Sequence, residues 1–312
     1  MMRRPWNQCA ILIALVVLVV VPWFLDDYTI SVFNTAGTYA IVAVGLSLFC
    51  GRLRQYPLGH AGFFAIGAFT AALLATRLDW PIWLDLPAAG LAATLAGVAL
   101  GLPTLRLGGP YLAIATLGFG LLVQDILNKA DWAGGRTGVS LTPIWPDRGF
   151  YWLILALLVA GAFVVHNLRH GSFGRALLAA RENEAAAQAS GIDVARYRVA
   201  AFAVSTAFAG VAGALFAHWS GFVSSSSFGL PLSITFVAMV VVGGVDHTPG
   251  VIVGAGFLTA LQQVLEQQPH LADALYAAII IAVLLLGQTA LARRLLALFR
   301  RIPPFAVGQS HG

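Results

Sequence analysis

No Asp, Glu, Lys or Arg occurs between Val199 and Val245, and runs of about 20 apolar residues, the length that a helix needs to cross a bilayer, recur along the chain. With 59% hydrophobic and only 10% charged residues, the composition lies outside that of soluble globular proteins. The sequence therefore predicts an all-α polytopic membrane protein in which residues 1–312 form a single transmembrane domain.

The charge-free runs predict ten transmembrane helices. A Ser-rich turn at 220–227 divides the longest run into two spans. The N-terminal run has no small-residue cleavage site after Val21, so we interpret it as a retained span and not as a signal peptide. The predicted spans are residues 5–25, 30–50, 58–76, 86–105, 111–127, 150–166, two within 199–245, 249–265 and 274–292.

The basic residues test this division, because cytoplasmic loops of membrane proteins accumulate Arg and Lys. With the N-terminus inside, fourteen of the 18 basic residues fall in inner segments. The four in outer segments are Arg77, Lys129, Arg136 and Arg148. The count predicts that both termini are cytoplasmic. The same accumulation of Arg on the cytoplasmic side explains the net charge of +5, so nucleic acid is not needed as a partner.

The most polar part of the chain is residues 171–198, called the polar connection below, within a predicted cytoplasmic loop at 167–198. Asn183 suits the N-cap of a short helix at about 184–190, Gly191 supplies its left-handed stop, and Asp193 caps the helix that follows. So short a helix is marginal in water on its own. We expect it to rest on a partner surface, and a plain solvated loop is the alternative that these residues leave open.

The absence of several sequence motifs excludes some classes of function. The only lysine is Lys129, on the predicted outer side, which excludes a phosphate-binding P-loop in this chain. Neither HExxH nor GxSxG nor a Cys/His cluster occurs. We therefore expect no enzymatic activity, no metal and no cofactor bound by the chain itself. An intramembrane enzyme using His60 or His166 is disfavoured because no nucleophile and base are expected to share a depth.

Ionisable groups that could couple transport to an ion gradient are few. They lie near the ends of spans, where we expect solvated or capped side chains: His60, Asp125, His166, His170 and Glu266. A transporter with no ionisable residue at the middle of the membrane is expected to take its energy from another source. The polar connection is a place where that energy could enter. A stand-alone secondary transporter stays open as an alternative.

Hydroxyl groups inside the spans are candidates for a weakly polar path that would suit a neutral or zwitterionic solute. Ser and Thr usually bond to their own helix, which is the structural interpretation of each one. The candidates are Thr70, Thr116, Ser205, Thr206 and Thr235.

Four stretches resemble the permease subunits of branched-chain amino-acid ABC importers, and among them the M-type subunits of leucine/isoleucine/valine systems. They are RQYPLGHAGFFAIGAFTAALL from Arg54, YLAIATLGFG from Tyr111, GRALLAARENEAAAQASGIDVARYRVAAFAVSTAFAGVAGALFAHWSGFVSSSSFG from Gly174, and MVVVGGVDHTPGVIVGA from Met239. The similarity covers about residues 30–288.

The resemblance implies a type II importer fold of about ten helices in the bacterial inner membrane, surrounded by lipid. It implies a heterodimer with a second permease, two cytoplasmic subunits that bind and use ATP, and a periplasmic substrate-binding protein. The same architecture importing urea, short amides or another small solute stays open.

The resemblance also implies a coupling helix that contacts the ATPases. The residues that match the family's RENExAA motif and the Gly that follows it are Arg181, Glu182, Asn183, Glu184, Ala185, Ala186 and Gly191. Gly191 stands seven residues after Glu184, one more than in the general importer signature, and the later Leu-Pro of that signature is missing. The match is therefore to this family's variant of the motif.

Overall fold

A computed structural model describes residues 21–23, 25–104, 110–135, 137–142 and 145–265. Helices follow one another with short connections in the predicted order. They are α1 (Asp27–Leu53), α2 (His60–Leu78), α3 (Ile82–Thr104), α4 (Pro110–Lys129), α5 (Asp147–His170), α6 (Ser172–Glu182), α7 (Glu184–Ala189), α8 (Val194–Ser220), α9 (Leu230–Gly243) and α10 (Thr248–Leu265).

Seven of these helices are long and apolar enough to cross a membrane, and α9 is a shorter apolar helix of 14 residues. Together they correspond to the second to the ninth predicted spans. The first and tenth predicted spans lie outside the described residues. The remaining two helices, α6 and α7, belong to the polar connection between α5 and α8. The described residues therefore form a polytopic helical bundle that carries one small helical projection.

Helix α8 lies at the centre of this bundle, against α1, α2 and α3. Glycine residues allow these contacts. A Cβ on Gly67 of α2 would overlap the Gly210 carbonyl group, and a Cβ on Gly210 would come 2.5 Å from the Cβ of Ala93 in α3. On the α1 side, Phe208 fills the space beside Gly45. Close backbone approach through small residues is how helices associate in lipid. Gly210 is therefore a point of close contact between α8 and its neighbours.

Two further close contacts also form at glycine residues. Gly97 of α3 lies directly against the Thr206 side chain of α8. Gly250 and Gly254 of α10 lie against Gly243 at the end of α9, where a Cβ on Gly254 would come 2.8 Å from the Gly243 Cα. The bundle is therefore packed along its length and is not a set of separate anchors.

Contacts at the two ends of the bundle agree with the predicted sides. At the end that carries the polar connection, Arg52 donates to the Arg169 carbonyl oxygen at 2.9 Å. At the opposite end, Arg77 donates to the Trp132 carbonyl oxygen at 2.8 Å, and strand β1 (Val139–Ser140) pairs antiparallel with β2 (Phe222–Val223). Each contact joins segments that the arginine count assigns to the same side.

The connection between α1 and α2 enters the bundle without helical structure. Arg54 adopts a left-handed conformation with φ +53°, which ends α1, and residues 54–59 are non-helical. Helix α2 starts at His60 beside Ser205, the twelfth residue of α8 and so about 16 Å along that helix. This interruption of helical structure around Pro57 places the first turn of α2 inside the bundle.

Candidate functional site

Helix α7 is the short helix that the capping residues predicted. The Asn183 side chain accepts a hydrogen bond from the Ala186 backbone N–H at 3.0 Å, and Gly191 takes φ +82° just beyond the helix. The Asp193 carboxylate then accepts from the Arg196 backbone N–H at 3.2 Å, which caps α8. All three predicted cap positions are confirmed, so local sequence chemistry alone defines where α7 begins and ends.

Two interactions hold α7 in a fixed orientation. The Arg198 guanidinium donates to both carboxylate oxygens of Glu184, at 3.2 and 2.8 Å. Beneath α7, the buried side chains of Ala180, Ala187 and Val194 form a small apolar cluster shared by α6, α7 and α8. Because a helix of six residues does not persist alone in water, these contacts with α6 and α8 give α7 its order.

The solvent-facing side of α7 is unusually apolar for a polar segment. Ala187 is buried, whereas Ala185 and Ala189 are exposed. Each lies two residues from Ala187 and so about 200° around the helix, on the side opposite the bundle. A rigid, exposed surface of small apolar side chains is suited to insertion into a groove of another protein.

The predicted coupling residues do not all lie on this surface. Glu182, Asn183, Ala185 and Ala186 are exposed, as is Gly191. Arg181 points back to the bundle and donates to the Gly51 carbonyl oxygen at 3.2 Å. Glu184 contributes both to this surface and to the contact with α8, since its carboxylate is half exposed and is bound by Arg198.

A second polar site surrounds the start of α2. The Leu58 backbone N–H donates to Thr116 Oγ1 at 3.0 Å, and the Ala61 backbone N–H donates to Ser233 Oγ at 3.1 Å. His60 Nε2 lies 2.7 Å from Ser205 Oγ. Hydroxyl groups from α4, α8 and α9 therefore converge on one helix terminus in the interior, where a broken helix is tolerated because its polar groups are satisfied.

Thr116 and Ser205 are thus the predicted path candidates that come together at this site. Thr70 and Thr206 donate to their own helices, at the carbonyl oxygens of Ile66 (2.6 Å) and Ala203 (3.0 Å), as Thr116 also does at that of Ala113 (3.0 Å). Thr235 is buried in α9. Ser233 was missed, because the sequence gives no sign that the second turn of α9 meets the start of α2.

A narrow crevice adjoins the hydroxyl groups. It is lined by Leu58, Gly120, Phe228 and Ser233 among others, and its volume is about 10 Å³. That space holds about one water molecule and is too small for a larger solute in this conformation.

The surroundings of His60 contradict two predictions made from the sequence. The side chain is completely buried, among the rings of Phe63 and Phe202, and is not a solvated end residue. It also shares its depth with a hydroxyl group, that of Ser205, so the reason for disfavouring an intramembrane enzyme was wrong. The two side chains are each 0% exposed. A bulky substrate has no access to them, and their contact fastens α2 to α8.

Other ionisable groups near helix ends follow the prediction more closely. The Asp125–Lys129 ion pair at the end of α4 is solvated, with side chains 62% and 75% exposed. His170 is exposed at the end of α5, with its ring 4.2 Å from that of His166. These groups are therefore placed as end residues and not as an interior relay.

Asp85 and His218 form a buried pair that the sequence did not indicate. Asp85 Oδ2 lies 3.0 Å from His218 Nε2, and neither residue is more than 1% exposed. Asp85 falls in the first turn of α3, although the predicted span began after it. The pair joins α3 to α8 at the end opposite the polar connection.

A bundle of membrane-length helices with small-residue packing, a hydroxyl-lined helix break and a rigid solvent-facing projection defines an integral membrane protein of the transport class. The family model described as "Branched-chain amino acid transport system / permease component" matches residues 28–284. The chain belongs to this family of permeases.

Relatives with established names agree with this membership. The chain is 36% identical over 293 residues to the high-affinity branched-chain amino acid transport system permease proteins LivM of Escherichia coli (strain K12) and Salmonella typhimurium, covering 83% of this chain and 69% of each relative. It is 26% identical over 278 residues to the autoinducer 2 import system permease protein LsrC of Escherichia coli, covering 83% of this chain and 79% of that protein. No solved structure matches the chain.

Proposed function

We propose that this chain is the membrane-spanning permease subunit of an ATP-driven importer of branched-chain amino acids, with ten transmembrane helices and both termini in the cytoplasm of a bacterial cell. It works with a second permease, two ATPase subunits and a periplasmic binding protein. The observation that carries the coupling role is the rigid exposed surface of α7, formed by Ala185 and Ala189. A permease without a phosphate-binding loop of its own needs such a contact to receive the energy of ATP hydrolysis.

The proposed mechanism requires that α7 rests differently on the ATPase in two states. Only a difference in interaction energy between states can shift the permease from one opening to the other. The fixed Glu184–Arg198 contact suits this role, because it makes α7 and α8 move together. Helix α8 then carries the movement to α1, α2 and α3, which it contacts directly.

The test is capture of partner subunits from detergent extracts with a tagged chain. We expect two nucleotide-hydrolysing subunits and another integral membrane protein to copurify. Ala185→Arg places a charge on the exposed side of α7 and is expected to abolish capture of the ATPases. The matched control is Ala195→Arg, which introduces the same charge at an exposed alanine outside α7. Equal capture by both variants would contradict docking through α7.

The solute is the part of this proposal with a specific rival. The 26%-identical relative LsrC is named for import of autoinducer 2, so the family is not restricted to amino acids. Two relatives at 36% identity are named for branched-chain amino acids, which favours leucine, isoleucine and valine. Competition of labelled leucine uptake by unlabelled valine, urea or autoinducer 2 separates the alternatives.

A further inference from the structure

Arg169 is a buried cation in the last turn of α5, only 4% exposed. Its Nη2 group donates to Ser47 Oγ at 2.7 Å and to the Val245 carbonyl oxygen at 3.0 Å. Its Nη1 group lies 3.5 Å from Thr248 Oγ1. One guanidinium therefore joins α5 to α1, to the α9–α10 turn and to the first residue of α10.

The partners of this cation are neutral. Within the part of the chain that the structure describes, no carboxylate lies within ion-pair distance of Arg169, and Asp246 is an acidic side chain whose charge acts favourably on it from farther away. Removing a cation from water without a direct ion pair is costly, and an apolar side chain would fill the same place without that cost. The distinctive property of Arg here is its planar fork of donors, which fixes three backbone segments relative to one another.

Arg169 is also attached directly to the polar connection. Helix α5 ends at His170, the residue after Arg169. Only Gly171 separates it from Ser172, the first residue of α6. Gly174 of α6 packs so closely on the Arg169 carbonyl group that a Cβ there would overlap it. That same carbonyl oxygen accepts from Arg52 of α1 at 2.9 Å. A displacement of α6 therefore displaces the Arg169 backbone with it.

The geometry points to Arg169 as a positioning residue of the transport cycle: its guanidinium makes the end of α1 and the α9–α10 turn follow each displacement of the polar connection. The inference rests on the proposed coupling through α7 and extends it to the route by which movement reaches the bundle. Arg181, which donates to Gly51 in the same end of α1, gives α6 a second attachment there.

The experiment compares uptake with ATP hydrolysis in the complete importer reconstituted in liposomes. Arg169→Gln keeps polarity and length but removes the charged fork. We expect the complex to assemble and hydrolyse ATP, while leucine transported per ATP hydrolysed falls by about tenfold or more, the scale of losing a hydrogen bond to a charged group. The matched control is Arg175→Gln, since the Arg175 side chain is exposed and donates to the nearby His170 carbonyl oxygen.

Two milder variants test the same role even if Arg169→Gln does not fold. Ser47→Ala removes one acceptor of the fork, and Arg52→Gln removes the donor to the Arg169 carbonyl group. Both are expected to lower the ratio of uptake to hydrolysis, and Arg169→Lys is expected to restore it only in part. An unchanged ratio in any assembled Arg169→Gln complex, or in both milder variants, overturns the inference.

The proposed function fails on a different observation. If Ala185→Arg retains both the ATPases and normal uptake, α7 is not the docking helix and the coupling proposal falls. If Ala185→Arg loses the ATPases while the Arg169 variants keep a normal ratio, only the role of Arg169 falls. Copurification and the transport ratio, measured on the same preparations, distinguish the two failures.

Discussion

The guanidinium of Arg198 in α8 donates two hydrogen bonds to the carboxylate of Glu184, the first residue of α7. The Arg198 side chain is 13% exposed, so the contact is shielded from solvent on one side only. This ion pair joins the exposed projection to the central helix of the bundle. In the proposed coupling, it is the first link between a docked partner and the membrane interior.

Reversal of the charge at position 184 tests this link. Glu184→Arg places two cations together, and we expect uptake to be lost although the protein still inserts. Because Glu184 is half exposed, the pair contributes only about 1 kcal/mol to stability, so the amount of protein in the membrane changes little. Glu184→Arg combined with Arg198→Glu is expected to recover part of the uptake. Normal uptake by the single variant would contradict the link.

Substitutions of Gly191 test the left-handed turn that follows α7. Its φ of +82° is unfavourable for side chains, yet no atom lies within 4 Å of the position of a Cβ. Substitution therefore changes backbone energy alone, by about 1–2 kcal/mol for Ala. We expect uptake to fall in the order Gly191→Asn, Gly191→Ala, Gly191→Pro, because Asn tolerates this conformation and Pro cannot adopt it. Equal uptake by the Asn and Pro variants would exclude a role for this turn.

Gly67 tests the packing of α2 on α8. A Cβ there overlaps the Gly210 carbonyl group, so Gly67→Ala forces the helices apart at a cost of about 1–3 kcal/mol. The control is Gly118→Ala in α4, where no atom lies within 4 Å of the new methyl group. In detergent, the first variant is expected to unfold at a lower temperature than the parent protein, and the second at the same temperature or slightly above. The opposite order would refute this packing.

The Asp85–His218 pair is tested by a double-mutant cycle. His218→Leu leaves the buried Asp85 without its partner and is expected to destabilise the protein by about 3–5 kcal/mol. Asp85→Leu together with His218→Leu removes both polar groups, and it should cost less than the His218→Leu change alone. Unfolding in detergent measures each variant. Additive losses would show that the two side chains do not interact.

The polar connection could be predicted in detail from sequence because its signals are local. Asn183, Gly191 and Asp193 act within a few residues of themselves, through caps and a left-handed turn. The helix spans followed from charge-free runs for the same reason. The role of α7 in docking stays a prediction, which the exposure of Ala185 and Ala189 supports.

The interior contacts could not be predicted, because they join residues far apart in the chain. Asp85 and His218 are separated by 133 positions, and Asp85 has the appearance of a loop acid between Trp83 and Leu86. Ser233 and His60 belong to helices whose neighbours only the fold defines. The sequence offers one indirect signal, Pro57, because proline disfavours a helix there and the freed backbone groups must be satisfied by other polar groups.

The most direct test of energy entry through α7 is leucine accumulation in liposomes. The chain is reconstituted alone, with a proton or sodium gradient, and within the purified complex, with the binding protein outside the liposomes and ATP on the side of α7. We predict accumulation only in the complete complex with hydrolysable ATP, and its loss in the Ala185→Arg variant. Accumulation by the chain alone on an ion gradient would contradict the proposed coupling, because the energy would then not enter through α7.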